Sequence, residues 1–386
     1  MGSSVIERAA ALREVIESLV RLRDEVGVLS ISVGIEPGTR LGGKPAWEVA
    51  LANDLDRLSR DRARGRAVEQ GLARAELELS RLLDPARSGR GRALYLALGT
   101  GVLIEVFLHH SLPTGARVGE VSHLLPLLAV LDEGEPAAFL VASRDAISVS
   151  ESELGAVHDL EPIELEPWVG DWWPEMKATA RANPLRGQET VSHRDRYARR
   201  VAAAYRHTMD EAVERIAALA HQRGWTRAVV AGDPRRTDPL DGVLRRAGVA
   251  TAVVGATLEG VREEKAVERL RTALARLVAA QTLELARAAE AEATAGGKGA
   301  CGLAHVLAAL AEGRVAHLLI DPERAFPGTI AAGETLRAAA GPEDGVDLAD
   351  LVVRRALTTD AAVTPLYGEA AVVLEGRDGI GALLRW

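Results

Sequence analysis

Between Asn183 and Arg200 the chain reads NPLRGQETVSHRDRYARR, and two groups of residues there could do chemistry. Gly187 lets the backbone approach a ligand that a side chain would keep away. Its exposed amide can donate to a developing oxyanion, and the neighbouring Gln188 can position a water. The second group is the arginines. Arg186 precedes the glycine, and Arg194, Arg196, Arg199 and Arg200 follow it. Guanidinium groups pair bidentately with phosphate oxygens, so such a row suits a nucleic-acid backbone. From Arg181 to Arg206 seven arginines stand against Glu189 and Asp195, a local excess of five positive charges in a chain whose net charge is -8. Phosphate attraction is screened within about 8–10 Å at physiological salt, so the patch matters and the total does not. The solvated face of a helix in an arginine-rich chain would look the same. Charge alone leaves the two open.

Elsewhere the chemistry is sparser. Cys301 is the only cysteine, which excludes a disulfide framework and a cysteine-based zinc site. The nine histidines lack HExxH spacing, and His109-His110 reads as the end of a strand. The AGDP stretch could set Asp233 against a phosphate or a metal, or could simply turn a strand into a helix. TAGGKGACG (294–302) has no preceding strand and does not match GxxxxGK[ST], so it reads as a flexible connector. Glu105, Asp145 and Asp233 are the carboxylates that a metal-dependent nuclease would have to bring together. No metal and no cofactor is expected.

The elements that must carry these residues follow from periodicity. Apolar positions from Val5 to Leu22 recur at helical spacing, and VGVLSISVGIEPGTR then alternates as a strand ended by Glu36-Pro37-Gly38. Residues 47–83 read as one or two helices. DPARSGRGR (84–92) is rich in turn residues and marks a first boundary near residue 88. RALYLALGTGVLIEVFLHHSLP gives two strands joined by Gly-Thr-Gly, and HLLPLLAVLDEGEPAAFLVASRDAISVSESELG gives helix, strand, turn and strand. Pro167, Gly170, Pro174 and Pro184 make 167–187 a loop or short helical turns. A helix then starts near Ser192, puts Arg196, Arg199 and Arg200 on one face, and is closed by Gly224. TRAVVAGDPRRTDPLDGVLRRAGVATAVVGA is strand, loop, helix and strand, and 257–293 is a second long helix. The last hundred or so residues alternate helix and strand as an α/β sandwich of ordinary domain size.

Length and composition agree with this division. A chain of 386 residues exceeds one ordinary core, and 47% hydrophobic with 26% charged residues predicts a globular, cytoplasmic protein. No run of 18 apolar residues is present, and the opening MGSSVIERAAALREVIESLVRLRD lacks the apolar centre of a signal peptide.

Near the C-terminus EGRVAHLLID (312–321) and DGIGALLRW (378–386), with LVVRRAL between them, resemble the paired GAVETLLL-type and GGIAALLRY-type strands of the archaeal and eukaryotic class-I release factor and Pelota family. RAVVAGDP is similar to that family's middle domain, and RALYLALGTGVLIEVF and HLLPLLAVLDEGEPAAFLVAS resemble its bacterial branch, which includes the Balon hibernation factors. The resemblance implies an α/β chain of three domains. These are a small α/β N-terminal domain (1–87) facing the decoding centre, an RNase H-like middle domain (88–272) carrying the Arg-Gly-Gln loop and basic helix, and a C-terminal α/β sandwich (273–386) of the kink-turn-binding ribosomal protein type. Release factors carry Gly-Gly-Gln before the arginine-rich helix, and RDRYARR here is similar to the family's RFARLR. Gln188 is then the candidate catalytic residue and Gly187 its neighbour. On a second alignment, Ser192-His193 takes the place of a Ser-Gln found in some bacterial members, which makes His193 a candidate too. Arg186 replaces the first glycine, the spacing to RYARR is about four residues longer, and no Asn-Ile-Lys-Ser motif occurs in 1–87.

Two functions follow from the resemblance. One is a non-catalytic occupant of the A site of idle or stalled ribosomes, contacting rRNA and accompanied by a translational GTPase such as elongation factor Tu. The other is a ribosome-rescue hydrolase acting on the peptidyl-tRNA ester at the tRNA 3′ end through loop 186–188. An RNA-processing nuclease ranks behind both.

Overall fold

The computed structural model describes residues 5–35, 40–41, 44–165, 187–255, 258, 262–331, 335–339 and 345–386; side chains at 40–41, 187–202 and 263 lie outside the described set. The chain packs as two units. One comprises 1–135, 153–156 and 278–386, and the other 136–152 and 157–277.

The first unit begins with helix α1 (Ala9–Arg21), which buries Ala9, Leu12, Ile16 and Leu19 at helical spacing. The backbone N–H of Ala9 donates to Glu153 Oε1 at 2.7 Å, so a carboxylate satisfies a donor in the helix's first turn. Strand β1 (Arg23–Gly34) follows, then the small pair β2 (Arg40–Leu41) and β3 (Lys44–Pro45). The region expected to hold one or two helices holds three: α2 (Ala46–Ser59), α3 (Gly65–Arg74) and α4 (Glu76–Leu83). The first break is an Asx turn, in which Asp61 Oδ1 accepts from the N–H of Ala63 and Arg64. Strands β4 (Gly91–Ala97) and β5 (Leu103–Leu108) form the expected Gly-Thr-Gly hairpin. With β6 (Gly115–Val121), a strand that sequence patterning does not single out, they make an antiparallel sheet of order β5-β4-β1-β6. Helix α5 (Leu125–Glu133) closes this stretch.

The connection at 84–90, where a domain boundary is expected, lies inside this unit. β1 pairs with β4 across it, from Val28↔Ala97 to Gly34↔Gly91. Arg92 is fully buried and donates to the carbonyls of Leu82, Asp84, Arg87 and Gly89 at 2.6–3.1 Å. The same turn-rich residues that suggest a linker therefore wrap one internal guanidinium.

The second unit is built on a sheet of order β10-β8-β7-β11-β12, made from β7 (Ala137–Ala142), β8 (Ala146–Glu153), β10 (Ile163–Glu164), β11 (Arg227–Gly232) and β12 (Ala250–Val254), with β9 (Ala156–Asp159) paired to β8. β7, β11 and β12 run parallel, β8 runs antiparallel to β7, and β10 runs antiparallel to β8. Alternation sorts its two faces. Ala138, Leu140, Ala228 and Val230 pack against helices α6 (Gly187–Arg223) and α7 (Pro234–Arg246), while Phe139, Val229 and Ala231 pack against Leu270 and Leu274 near the start of helix α8 (Glu263–Thr294).

The chain then completes the first unit. Strand β13 (Gly299–Cys301) falls in the segment expected to be a flexible connector. It pairs with β19 (Ile380–Leu384) and so has its backbone groups fixed by a partner that sequence-local signals do not reveal. Helix α9 (Leu303–Ala311), strand β14 (Val315–Ile320), helix α10 (Ala349–Thr358) and strand β18 (Ala362–Pro365) match the expected alternation. β15 (Pro327–Ala331), β16 (Thr335–Ala338) and β17 (Val346–Asp347) form a separate small sheet, and helix α11 (Glu369–Val373) precedes β19. The main sheet of this stretch has the order β13-β19-β14-β18. One apolar cluster runs through both stretches of the unit, joining Leu12, Leu19 and Leu128 to Leu310, Val352 and Val353. The fold is mixed α/β, as expected.

Candidate functional site

The arginine run sits on α6, a helix of 37 residues. Its C-terminal half is the anchor: Met209, Ala212, Ile216 and Ala220 are buried at spacings of three and four, which seats one stripe on the β7-β11 sheet face. Tyr205 adds a polar tie, because its hydroxyl oxygen accepts from Arg236 Nε of α7 at 2.8 Å. Gly224, with φ of +65°, ends the helix where the sequence places its end. Burying a stripe of this kind contributes roughly 1.5–3 kcal/mol per large side chain.

At the other end the structure corrects the expectation. Gly187 and Gln188 are predicted to lie in a loop ahead of a helix that starts near Ser192, whereas α6 begins at Gly187 itself. The physical reason is local. The first N–H groups of a helix need no partner within it, so glycine costs little there. Gly187, Gln188, His193, Arg194, Arg196, Arg199 and Arg200 thus share one continuous helical backbone. Their side chains lie outside the described residues, as does Arg186 altogether. On that backbone Arg196, Arg199 and Arg200 are three and four residues apart and fall on one face.

The nuclease trio is divided between the two units. Glu105 belongs to β5 of the first unit, while Asp145 and Asp233 belong to the second. Asp233 does structural work as the N-cap of α7, its Oδ1 accepting from the N–H of Arg235 at 2.9 Å. Among the described residues no group of three or more His, Cys, Asp and Glu side chains could hold a metal ion. His109 and His110 follow the last residue of β5 and reach separate carboxylates, Glu7 at 3.2 Å and Glu133 at 3.0 Å. Burial holds the Cys301 thiol above its ordinary pKa, so it is a poor thiolate.

A second constellation, unmarked by any motif, lies in the first unit. His123 Nδ1 is 2.6 Å from Asp350 Oδ1, and the buried Tyr95 hydroxyl donates to the His123 carbonyl at 3.1 Å. Burial drives the Tyr95 phenol well above its ordinary pKa, so it stays protonated as that donor. His123 and Tyr95 line a cavity of about 300 Å³ together with Ser32, Arg57, Arg117 and Tyr367. His123 and Asp350 lie 227 residues apart in the chain, so no local spacing could have paired them.

Three comparisons with known proteins bear on the chain. Residues 123–287 match the model of bacterial archaeo-eukaryotic release factor family 10. No curated protein matches. Among solved structures, an archaeal translation termination factor is 17% identical over 98% of both chains with a TM-score of 0.25. Pelota in a model of ribosome-bound archaeal Pelota and ABCE1 is 13% identical over 99% of this chain and 95% of that one, with a TM-score of 0.40. Saccharomyces cerevisiae Dom34, described as a translation termination-like factor, is 10% identical over 75% and 74%, with a TM-score of 0.38. The matched segment contains the sheet of the second unit and the whole of α6, so this part of the chain is similar to the bacterial archaeo-eukaryotic release factors of family 10.

Proposed function

We propose that this protein is a ribosome-binding translation factor that occupies the A site of idle or stalled ribosomes and protects them without cleaving peptidyl-tRNA. The match of residues 123–287 to a release factor family carries the reading, because that segment includes the basic stretch of α6. Arg194, Arg196, Arg199 and Arg200 are the residues proposed to meet rRNA or tRNA phosphate, with Arg186 beside them. The non-catalytic form is supported by Arg186 in place of a first glycine and by helical backbone from Gly187 onward. A translational GTPase such as elongation factor Tu is the proposed companion, and the cytoplasm the proposed location.

The test is co-sedimentation with ribosomes across a salt series. Binding should weaken steeply as salt rises, and neutralising one phosphate-binding arginine should lower the log–log slope by about one. Reversing Arg196, Arg199 and Arg200 to Glu should abolish most binding, and retained binding would remove this helix as the contact. Peptidyl-tRNA release on stalled ribosomes should be absent. Release that vanishes with Gln188→Ala or His193→Ala would establish the rescue hydrolase instead.

A further inference from the structure

Between α2 and α3 the chain reads RLSRDRARGR (57–66), which places five arginines in ten residues with no lysine among them. Folding accounts for two of the five. Arg57 and Arg60 lie at the end of α2, where cations suit the helix dipole, and they pair with Asp54 at 2.8 Å and Asp56 at 2.7 Å. Asp61, the carboxylate within the stretch, makes the turn by accepting from the N–H of Ala63 and Arg64. Arg62, Arg64 and Arg66 are left. No ion pair with a described residue occupies any of the three, and no carboxylate stands between Arg62 and Val68. Arg62 and Arg66 are exposed. Arg64 is half-buried, with its Cδ 3.7 Å from where a Cβ on Gly27 of β1 would stand.

Folding does not require this placement. Arg64 is the N-cap of α3 and makes no side-chain cap bond, and Arg66 stands in a first turn that contains no acidic residue. N-cap positions favour Ser, Thr, Asp and Asn, and the start of a helix is its positive end, so cations there oppose the dipole. A merely solvated helix face explains Arg57 and Arg60, which have partners and a favourable dipole. It does not explain three arginines without ion pairs gathered where the helix disfavours them. Their chemistry suits an anion from outside the chain. Guanidinium forks pair bidentately with phosphate oxygens, and three separate forks suit a polyanion more than a single ion. An anionic membrane surface would also need apolar side chains to enter it. The apolar residues of the stretch are Ala63 and Leu58, and Leu58 packs on the cluster of Leu29, Leu51 and Leu82. No aromatic side chain is present for a base to stack on, so the contact falls to backbone phosphate.

We propose that the turn between α2 and α3 is a nucleic-acid contact, in which Arg62, Arg64 and Arg66 hold the phosphodiester backbone of an RNA strand without reading its sequence. The turn belongs to the first unit and the arginine run of α6 to the second, so either reading can fail alone.

The test follows the anisotropy of a fluorescent single-stranded RNA of about 20 nucleotides with the full-length protein. The parent is the variant with Arg196, Arg199 and Arg200 changed to Glu, which removes binding through α6. That parent should still bind. Adding Arg62→Gln, Arg64→Gln and Arg66→Gln should weaken it about tenfold or more and lower the log–log salt slope by about two. Because the three cations oppose the helix dipole, the same changes should leave the Tm equal or higher. Arg62→Gln alone, at an exposed turn position, should lower the slope by about 0.7 and serves if the triple variant fails to fold. RNA of scrambled sequence should bind equally well. A parent without RNA affinity, or an unchanged slope in the triple variant, overturns the proposal. Sequence dependence in the binding that the three arginines supply overturns it too. So does capture of phosphatidylserine vesicles or poly-glutamate that matches the RNA and is lost with the same arginines.

Discussion

At the scale of single residues, Arg92 shows how a polar side chain can define a core. Its guanidinium is buried, and burial pulls its pKa below the ordinary arginine value. Four carbonyls from Leu82 to Gly89 depend on it. Arg92→Leu leaves those oxygens without donors and should cost on the order of 3 kcal/mol or more in urea denaturation, with Arg92→Lys recovering little because an ammonium lacks the planar fork. A loss below about 1 kcal/mol would mean that water replaces the donors. Nothing around Arg92 announces this role, since GRALYLA reads as an apolar strand with one charge at its start. Asp24 is similar. Burial works to raise its pKa, but the amides of Thr100, Gly99, Gly27 and Val26 prevail and hold it below the ordinary carboxylate value. The arginines of α6, by contrast, are plain in the sequence, because charge needs no partner to be counted.

Among elements, those with a strong internal period were legible and those defined by a neighbour were not. The hairpin of β4 and β5, the helices α1, α5, α9 and α10, and the unit β11–α7–β12 all carry periodicity and turn residues within themselves. β6 is GARVGEV, and β13 is three residues long. Both are strands only because β1 and β19 supply their hydrogen bonds. The pairing of β14 with β18 makes a testable case, since His317 Nε2 is 2.9 Å from Thr364 Oγ1. Burial holds the pKa of His317 below its ordinary value, so the unfolded chain takes up the proton first as pH falls. Stability from this strand pair should therefore be full above about pH 6.5 and decline as pH drops from there toward the lower folded value. Urea denaturation at about pH 7.5 and about pH 5.5 should show that decline, and His317→Gln should flatten it.

For the whole molecule, the C-terminal strands resemble those of the release factor and Pelota family, while the packing of the chain into units could not be read from order alone. The first unit is assembled from both ends of the sequence around one apolar cluster, in which Leu12, Leu19 and Leu128 meet Val352 and Val353. A chain stopped at residue 277 loses more than half of that cluster. It should fail to protect the α1 and β1 amides from hydrogen exchange and should bind a hydrophobic dye, while the sheet of the second unit keeps its own transition. Native-like protection of Leu12 and Leu19 in that truncation would show that residues 1–135 stand alone.

The same discontinuity sets a timetable for synthesis. Residues 1–135 leave the ribosome first, yet their core partners at 278–386 are made last. The intervening unit draws its strands and helices from 136–277 and is complete earlier, so it is the part of the chain that can fold first. Until residues 278–386 emerge, the apolar cluster of α1, α5 and the β4–β5 hairpin is covered only in part. A fold closed by its last hundred residues is thus exposed for most of its own translation.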